Sequence, residues 1–414
     1  MEKILVHICC GVDSVYALRY IKEQMPTVEP VGFFYDPNIH PEEEYNLRWI
    51  ETKRVCDSLG IECIKGEYEV DVWMEKVKGY ENEPERGERC TICHDLRLEK
   101  SAELAKQIGA KYLTTVLMMS PKKDFDVLKE IGEKVAKKYN IEFVSFDFRK
   151  NGGTEKMNIL SRQSQLYHQN YCGCIYGLFG QKKNVEFYPE LVSFSKGRLA
   201  GSTQELLFIK QIRLFAENLG LNCFEQEFTF IGWRLLSSIL KVNSKEIYHK
   251  VLPYSTSVKG ILRDKVKEKI ETEDKIIYKF HKSTVEIWKV ENIDNFLWDN
   301  LRYNTDPVFI VDRDLNLEDK IEIQLRTEFD PNLKSRNLII GNLHSPKKEF
   351  FYGDTDYYGK GGYSSADIFS FIEKNIDQIK EGDLSVVIFG ANYCGKVGEK
   401  VFYSLSNRET LSIW

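Results

Sequence analysis

Five short apolar segments alternate with helical patterns along the first 170 residues, and this alternation limits the possible folds more than any other feature of the chain. Each segment is rich in β-branched or aromatic residues and is followed by turn-forming residues, as buried strands are. The segments are residues 4–8, 30–36, 61–65, 112–117 and 141–146. Strands that alternate with helices form a parallel sheet with helices on both faces. The sequence therefore predicts an α/β fold of this kind.

The loops that follow these segments contain most of the chemically informative residues. The first segment runs into the adjacent Cys9 and Cys10, and Asp13 and Ser14 then open a helical pattern as N-cap residues do. Further turn-rich loops lie at residues 36–41, 120–124 and 147–153. In open parallel sheets, ligands bind at the carboxyl edge, where such loops meet. We therefore expect the functional site at that edge.

The chain has 414 residues, enough for two or more domains, and its 42% apolar and 29% charged residues are ordinary for a globular protein. A net charge of −5 excludes a bulk polycation, so contact with nucleic acid would need a local basic patch. No apolar run approaches the roughly 20 residues that span a bilayer, and the N-terminus lacks a signal-peptide pattern. We expect a cytoplasmic protein, in which ten cysteines indicate metal or redox chemistry rather than a disulfide framework.

Four cysteines form the sharpest candidate for a metal site. Cys90 and Cys93 form a C-x-x-C at a predicted helix start, where the helix N-terminus favours the thiolate that binds metal. Cys9 and Cys10 could complete a set of four thiolates, which suits zinc or an iron–sulfur cluster. Structural zinc usually lies between two C-x₂₋₄-C knuckles, and adjacent cysteines are less usual for it. The spacing therefore favours a cluster over zinc.

Cys172 and Cys174 flank a single glycine. A disulfide between them would close a very small, strained ring, and strain makes such a bond easier to reduce. We favour a redox pair, and the alternatives are two free thiols or further metal ligands. A second Asn-Tyr-Cys-Gly sequence around Cys394 is treated as coincidence. The remaining cysteines are favoured as buried core residues, and they are Cys56, Cys63 and Cys223.

Asp13, beside two thiols, is either an acid, hydrogen-bond donor or extra metal ligand, or a plain helix N-cap. His7 lies inside the apolar strand and is favoured as a core histidine whose hydrogen bonds are satisfied. Four basic residues lie on loops of the predicted functional edge, where they could contact phosphates or form a solvated face. They are Lys122, Lys123, Arg149 and Lys150.

The pattern changes near residues 181–184, which we take as a domain boundary. The remainder is long enough for its own core and mixes helical and strand-like stretches, which predicts a mixed α+β domain. Helical stretches are residues 205–219, 258–270 and 364–379, and strand-like ones are residues 276–280, 308–311, 321–327, 338–340 and 386–389. A Gly-Lys-Gly-Gly sequence at residues 359–362 is favoured as a plain turn over a phosphate cradle.

Six segments together resemble the QueH-type epoxyqueuosine reductases, which do not use cobalamin. They occur in that family's order and cover residues 1 to about 180. The family's usual proline after the two cysteines is replaced by Val12, beside an intact Asp13. The segments are residues 7–10 with Asp13, residues 33–41, residues 90–93 with 96–98, residues 120–124, residues 147–150 and residues 171–174.

The resemblance implies a HUP/PP-loop-like catalytic domain at residues 1–180, followed by a C-terminal domain of unknown function at residues 185–414. It also implies an oxidoreductase that converts epoxyqueuosine to queuosine at the wobble position of tRNA, the last step of queuosine biosynthesis. The implied partners are a tRNA carrying epoxyqueuosine and an electron donor. The implied cofactor is a [4Fe-4S] cluster held by Cys9, Cys10, Cys90 and Cys93.

The resemblance further implies a redox-active disulfide between Cys172 and Cys174. Opening an epoxide reductively takes two electrons and two protons. A dithiol can hold two electrons, and Asp13 could help to protonate the oxygen.

Two other functions are compatible with parts of the sequence. The turn at residues 10–14 loosely resembles the phosphate-binding loop of PP-loop ATP pyrophosphatases, some of which are iron–sulfur tRNA thiolases, but cysteines occupy positions where that loop needs small residues. A zinc-stabilised RNA-binding protein is the non-enzymatic alternative. Metal analysis separates it from the others, because four-thiolate zinc is colourless and an iron–sulfur cluster is brown.

Overall fold

The computed structural model describes residues 2–182, 198, 200–258, 266–281, 283–294, 305–315, 321–342, 348–352, 363–391, 395–397 and 400–402. We call residues 2–182 the N-terminal unit and the described residues from 198 onward the C-terminal region. The sequence features at residues 183–184, 359–362 and Cys394 lie outside the described residues. Among the described residues, no helix combines the length and apolar character needed to cross a membrane.

The N-terminal unit is built on one sheet of five parallel strands, in the order β3-β2-β1-β4-β5. The strands are β1 (Glu2–Ile8), β2 (Val28–Phe34), β3 (Cys63–Lys65), β4 (Tyr112–Thr115) and β5 (Glu142–Phe143). All five predicted strands are confirmed. Because β1 is flanked by β2 and β4, its carboxyl end is the point where the strand order reverses, the usual ligand position in such sheets.

Helices cover both faces of this sheet, as predicted. The helices are α1 (Gly11–Gln24), α2 (Glu42–Ser58), α3 (Val70–Lys76), α4 (Glu88–Gln107), α5 (Phe125–Tyr139), α6 (Gly153–Gln163) and α7 (Ile175–Gln181). Side chains of β1 alternate between faces. Ile4 and Val6 pack in one core with α1 and α6, while Leu5 packs in a second core with α4 and α5.

The first helix begins earlier than the sequence predicted. Its N-cap is Cys10, whose thiol accepts a hydrogen bond from the Asp13 backbone N–H at 3.5 Å. The prediction of Asp13 and Ser14 as the caps is therefore wrong, and both lie within the first turn. The first helical residue, Gly11, has no room for a side chain because α2 passes very close there: a Cβ atom would lie 2.8 Å from the Glu51 carbonyl oxygen.

The C-terminal region mixes helices and strands, as predicted. Its helices are α8 (Thr203–Asn218), α9 (Ser365–Lys374) and α10 (Ile376–Lys380). Its first strands are β6 (Cys223–Val242), β7 (Lys245–Glu246), β8 (Lys250–Val251), β9 (Glu268–Glu271), β10 (Lys275–Lys279) and β11 (Thr284–Val290). The later strands are β12 (Val308–Asp312), β13 (Ile321–Gly341), β14 (Lys348–Tyr352), β15 (Leu384–Phe389), β16 (Gly395–Val397) and β17 (Lys400–Phe402).

These strands form two five-stranded sheets, ordered β14-β15-β13-β6-β7 and β8-β12-β11-β10-β9, and the pair β16-β17. Both larger sheets combine antiparallel and parallel pairs. The predicted helix at residues 258–270 is wrong at its described end, because residues 268–271 are the edge strand β9. The separate strands predicted at residues 321–327 and 338–340 are parts of β13, which continues through register shifts after Arg326 and Asp330.

Helix α8 joins the two parts of the molecule. One face packs in an apolar core, where Ile209 and Ile212 lie with Leu338 of β13 and Ile368 of α9. Its opposite face turns charged side chains towards α2. The fully buried Lys210 is the central residue of that second face. Helix α8 thus contacts the N-terminal unit through charged groups, and among the described residues no apolar cluster spans both parts.

Candidate active site

A cavity of about 290 Å³ opens at the carboxyl edge of the parallel sheet. Its walls come from the turns after β1, β2 and β4, from α4, and from the segment that leads into α7. The lining residues are Cys9, Asp13, Asp36, Asn38, Arg48, Trp73, Glu85, Arg89, Cys90, Cys93, His94, Arg97, Leu117, Ser120, Pro121, Lys122, Lys123, Met157, Gln169, Asn170, Tyr171, Cys172, Cys174 and Gln181. The cavity lies at the edge of the sheet where the sequence predicts the functional site, and its function stays a prediction.

Cys9, Cys10 and Asp13 form a compact group in the turn after β1. The two sulfur atoms lie 4.0 Å apart, and Cys9 Sγ lies 3.8 Å from Asp13 Oδ2. Their ligand atoms all lie within 4.8 Å of one another, close enough to share a metal ion. A hydrogen bond to Cys10 and burial raise the pKa of the Cys9 thiol, so its thiolate needs a positive charge beside it. Burial also raises the pKa of Asp13, to about 6.

Cys90 and Cys93 lie in the first two turns of α4 and also line the cavity. Cys90 Sγ accepts a hydrogen bond from the Arg86 backbone N–H at 3.3 Å. Cys93 is buried, which raises the pKa of its thiol, while the charge of Arg97 one turn later opposes that effect. The structure thus brings Cys9, Cys90 and Cys93 to one cavity, with Cys10 buried behind Cys9. Their role as a common ligand set stays a prediction.

Cys172 and Cys174 line the same cavity and are free thiols in this structure. A hydrogen bond from the Cys174 thiol lowers the pKa of Cys172 to about 6, against the opposing effect of burial, and the charge of Lys123 adds to the lowering. Cys174 packs with Cys93 and Trp73 in a small apolar cluster. The pair therefore has the asymmetry of a reactive dithiol, in which one sulfur ionises readily and the other holds its proton.

Several buried polar residues of the cavity were not among the predicted site residues. Arg97 forms an ion pair with Asp36, and both residues line the cavity. Asn38 Oδ1 and His94 Nδ1 are buried and have no hydrogen-bond partner among the described residues, so a bound polar group could satisfy them. Helical spacing could have identified Arg97, because it lies four positions after Cys93 and residues four positions apart share a helix face.

The structure places two of the four predicted basic residues in the cavity lining and two outside it. Lys122 and Lys123 line the cavity. Arg149 and Lys150 lie outside its lining and pair with Asp147 of their own loop, at 3.3 and 3.7 Å. Arg149 nevertheless reaches the same rim, because its Nη1 donates to the Lys123 carbonyl at 3.4 Å. Lys122 and Lys123 are therefore the better placed of the four to meet a ligand in the cavity.

The residues predicted to be structural lie away from the cavity. His7 is fully buried, and its ring nitrogens contact Thr115 Oγ1 at 2.8 Å and the Tyr35 carbonyl at 3.3 Å, which confirms a core histidine. Cys56 is buried, and Cys63 and Cys223 are partly buried against apolar cores. These contacts agree with the core positions predicted for the three cysteines.

Comparison with known proteins matches residues 4–179 to the family model described as epoxyqueuosine reductase QueH. The epoxyqueuosine reductase QueH of Helicobacter pylori is 43% identical over 208 residues, which are 49% of this chain and 56% of that protein. The chain thus spans little more than half of that relative's length. Coverage is larger for the proteins of the same name from Histophilus somni, 37% identical over 72% of its length, and Thermotoga maritima, 31% identical over 94%.

Among solved structures, the U34-tRNA thiolase NcsA from Methanococcus maripaludis aligns with 42% of this chain and 61% of its own. Its sequence identity is 14% and its TM-score is 0.30, a similarity too low to support a conclusion. The finer expectation of a HUP/PP-loop-like fold therefore stays a prediction, while the parallel sheet flanked by helices is established by the structure itself.

Proposed function

Because the chain belongs to the family of QueH epoxyqueuosine reductases, we propose that it reduces epoxyqueuosine to queuosine at the wobble position of tRNA. One observation carries this proposal: thiols from three separate parts of the chain line a single cavity together with Asp13. Such a concentration of free thiols suits electron transfer to a bound substrate.

The proposed holders of a [4Fe-4S] cluster are Cys9, Cys10, Cys90 and Cys93. Their chemistry fits, because all four are free thiols at or directly behind the cavity wall. Cys9 and Cys10 would hold the cluster from the turn after β1, and Cys90 and Cys93 would hold it from the first two turns of α4. Arg97, whose charge acts on both Cys9 and Cys93, favours their thiolate forms. When bound, the cluster supplies electrons one at a time.

The Cys172 and Cys174 thiols would supply the electrons and protons that the proposed reaction takes up. Converting the epoxide to the alkene breaks two C–O bonds, takes up two electrons and two protons, and releases water. Oxidising the Cys172 and Cys174 thiols to a disulfide provides two electrons and two protons. We assign Asp13 to move a proton to the departing oxygen, because its carboxyl group lines the cavity beside Cys9. An external electron donor then reduces the disulfide.

The test is a turnover assay on tRNA that carries epoxyqueuosine. The anaerobically reconstituted parent protein, supplied with a chemical reductant, is expected to form queuosine, measured by mass spectrometry of the digested nucleosides. The Cys174→Ser variant should keep its iron and lose multiple turnover. Cys223→Ser, which changes a thiol outside the cavity lining, is the matched control and should behave as the parent.

Three outcomes would contradict parts of this proposal separately. Turnover of Cys174→Ser at the parent rate with the same reductant would refute the redox role of the pair. Loss of iron from that variant would show that Cys174 is a cluster ligand. The six cysteines would then not divide into four ligands and one redox pair. Absence of queuosine from the iron-loaded parent protein would refute the activity itself.

A further inference from the structure

The loop that contains the Cys172 and Cys174 thiols is held by a residue of α2. The Arg48 guanidinium donates from Nη2 to the Tyr171 carbonyl and from Nη1 to the Cys172 carbonyl, both at 3.1 Å. Gly173 has φ +103°, and a Cβ atom there would lie 3.2 Å from Arg48 Nη1. The loop backbone is therefore packed directly against this guanidinium, and the position of Arg48 sets the position of the two thiols.

Arg48 is in turn held by a carboxylate and a tyrosine. Its Nε donates to Glu44 Oε1 at 2.7 Å, and Glu44 is fully buried. The other oxygen of that carboxylate accepts from the Tyr167 hydroxyl at 2.9 Å. The backbone N–H of Tyr167 donates to Glu51 Oε2 at 2.6 Å. A continuous hydrogen-bonded path thus runs from the thiol loop to Glu51, two turns along α2.

The path ends on a lysine of the C-terminal region. Lys210 of α8 is fully buried, and its Nζ lies 3.6 Å from Glu51 Oε2. It donates to the Gln165 carbonyl and to Glu225 Oε1, both at 2.6 Å. Because Gln165 lies two residues before Tyr167, Lys210 fixes both the carboxylate and the chain segment that form the next link.

Buried ionic groups of this kind hold a defined geometry. Without Lys210, Glu51 loses one of its two ion-pair partners among the described residues and keeps Arg54, so neighbouring groups shift to compensate for the lost charge. A cation lies at each end of the path and two carboxylates, linked by Tyr167, lie between them. All four charged residues are buried: Lys210, Glu51, Glu44 and Arg48. A change at Lys210 therefore reaches the guanidinium that holds the thiol loop.

We propose that Lys210 is a positioning residue for the Cys172 and Cys174 pair, so that the C-terminal region sets the redox behaviour of thiols it does not touch. The links are the Gln165–Tyr167 segment, Glu51, Glu44 and Arg48. This proposal rests on the redox role proposed above for the pair. It gives the C-terminal region a role in the reaction that needs no contact with substrate.

The test measures the equilibrium between dithiol and disulfide at residues 172–174 in the iron-loaded protein. Glutathione disulfide is the oxidant: the Cys172 thiolate attacks one of its sulfurs and releases one glutathione, and Cys174 then closes the ring and releases the second. The oxidised fraction is read by mass spectrometry across a series of glutathione ratios. This readout needs neither tRNA nor turnover.

Two variants interrupt the path at different links. Lys210→Met removes the charge at similar length, and Tyr167→Phe removes only the hydroxyl that binds Glu44. Each is expected to shift the dithiol–disulfide equilibrium constant by about three- to tenfold, the size of effect seen for coupled networks. Lys210→Arg should restore most of the parent value. Tyr139→Phe is the matched control, because its hydroxyl binds Glu99 at 2.7 Å outside the path.

The outcomes separate this proposal from the one on which it rests. Parent equilibrium constants in folded, iron-loaded Lys210→Met and Tyr167→Phe would overturn the positioning role, and so would an equal shift in Tyr139→Phe. Where Lys210→Met does not fold, Tyr167→Phe decides alone. Parent turnover of Cys174→Ser would instead overturn the redox role of the pair.

Discussion

The N-terminal unit and the C-terminal region both bury charged side chains, but they use them differently. In the N-terminal unit, buried polar groups face a cavity, and Asn38 and His94 each keep an atom without a partner among the described residues. At the junction with the C-terminal region, Glu225 is bound by Lys210 and Arg213 at 2.6 and 2.7 Å. Unmatched buried groups point to a ligand, whereas matched ones hold two parts of a protein together.

The topology of the sheets explains why the cavity and its thiols lie in the N-terminal unit. A parallel sheet places the carboxyl ends of all its strands on one edge, so residues far apart in sequence meet there. The sheets of the C-terminal region contain antiparallel pairs, whose turns lie at both ends. Among the described residues, the last one that lines the cavity is Gln181, so the described C-terminal region contributes no group to the cavity wall.

The largest expected effect comes from the proposed cluster ligands of the N-terminal unit. The anaerobically prepared parent protein should bind about four irons and four sulfides, and Cys90→Ser and Cys93→Ser should each lose most of them. Metal analysis and the visible absorbance of the cluster measure this, with Cys223→Ser as a control in the C-terminal region. Full retention of iron in both variants would refute the assignment of Cys90 and Cys93 as cluster ligands.

The next effect tests the junction. Arg54 of α2 binds both oxygens of Glu217 on α8, at 2.8 and 2.9 Å, and is itself buried. Arg54→Met should lower the free energy of unfolding by about 3 kcal/mol, because it removes a buried cation that pairs with both the buried Glu51 and the partly exposed Glu217. Urea unfolding measures the change.

The control for Arg54→Met is Arg313→Met. Arg313 is 44% exposed and pairs with Asp274 at 2.7 Å, so its replacement should cost less than about 1 kcal/mol. Equal effects of the two substitutions would show that the junction is no more dependent on its ion pairs than the surface is.

A smaller effect is expected from the basic residues at the cavity rim. Neutralising Lys122 and Lys123 should weaken tRNA binding and lower the slope of log affinity against log salt by about one unit for each phosphate that the protein no longer neutralises. Neutralising Arg149 and Lys150 should change the slope less, because both already pair with Asp147. Binding titrations at several salt concentrations measure the slopes, and unchanged slopes in both double variants would return all four residues to a solvated face.

The smallest effect is the response of the junction to acid. Burial alone would raise the pKa of Glu225, but Lys210 and Arg213 lower it from 4.5 to about 2. Since the folded-state pKa is the lower one, the carboxylate stabilises the fold above pH 4.5, and this contribution is lost as pH falls towards 2. Between pH 6 and pH 4 the loss is about 1 kcal/mol. Urea unfolding at both pH values should show it in the parent and not in Glu225→Gln; the same pH dependence in both would contradict it.

The fold of the N-terminal unit could be predicted because its signals are local. Buried parallel strands are continuous apolar runs, and all five were visible in the sequence. The helix predicted at residues 258–270 is wrong at residues 268–270, because these belong to the edge strand β9, whose side chains are mostly exposed and show no alternation of apolar and polar residues. The full length of β13 was missed because Pro331 and its neighbours interrupt the strand pattern, whereas a bulge absorbs the irregularity there.

The site was predictable to the extent that its residues belong to short motifs. Cys10 was missed as a helix cap because oxygen side chains usually take that position, and a thiol is a weaker acceptor. The path between Lys210 and Arg48 could not be predicted. Lys210 and Arg48 are more than 160 positions apart in the sequence. Helical spacing within α2 shows which of its residues share a face, but not which other residues bind them.

The cavity volume of about 290 Å³ has a consequence for how a large substrate would be chosen. It lies at the lower end for small-molecule pockets, so a stacked or paired base cannot enter it. A wobble nucleotide would have to be unstacked and turned outward from the anticodon loop before its ring could enter. The cavity would then discriminate between modified bases, and discrimination between whole tRNA molecules would fall to surfaces outside it.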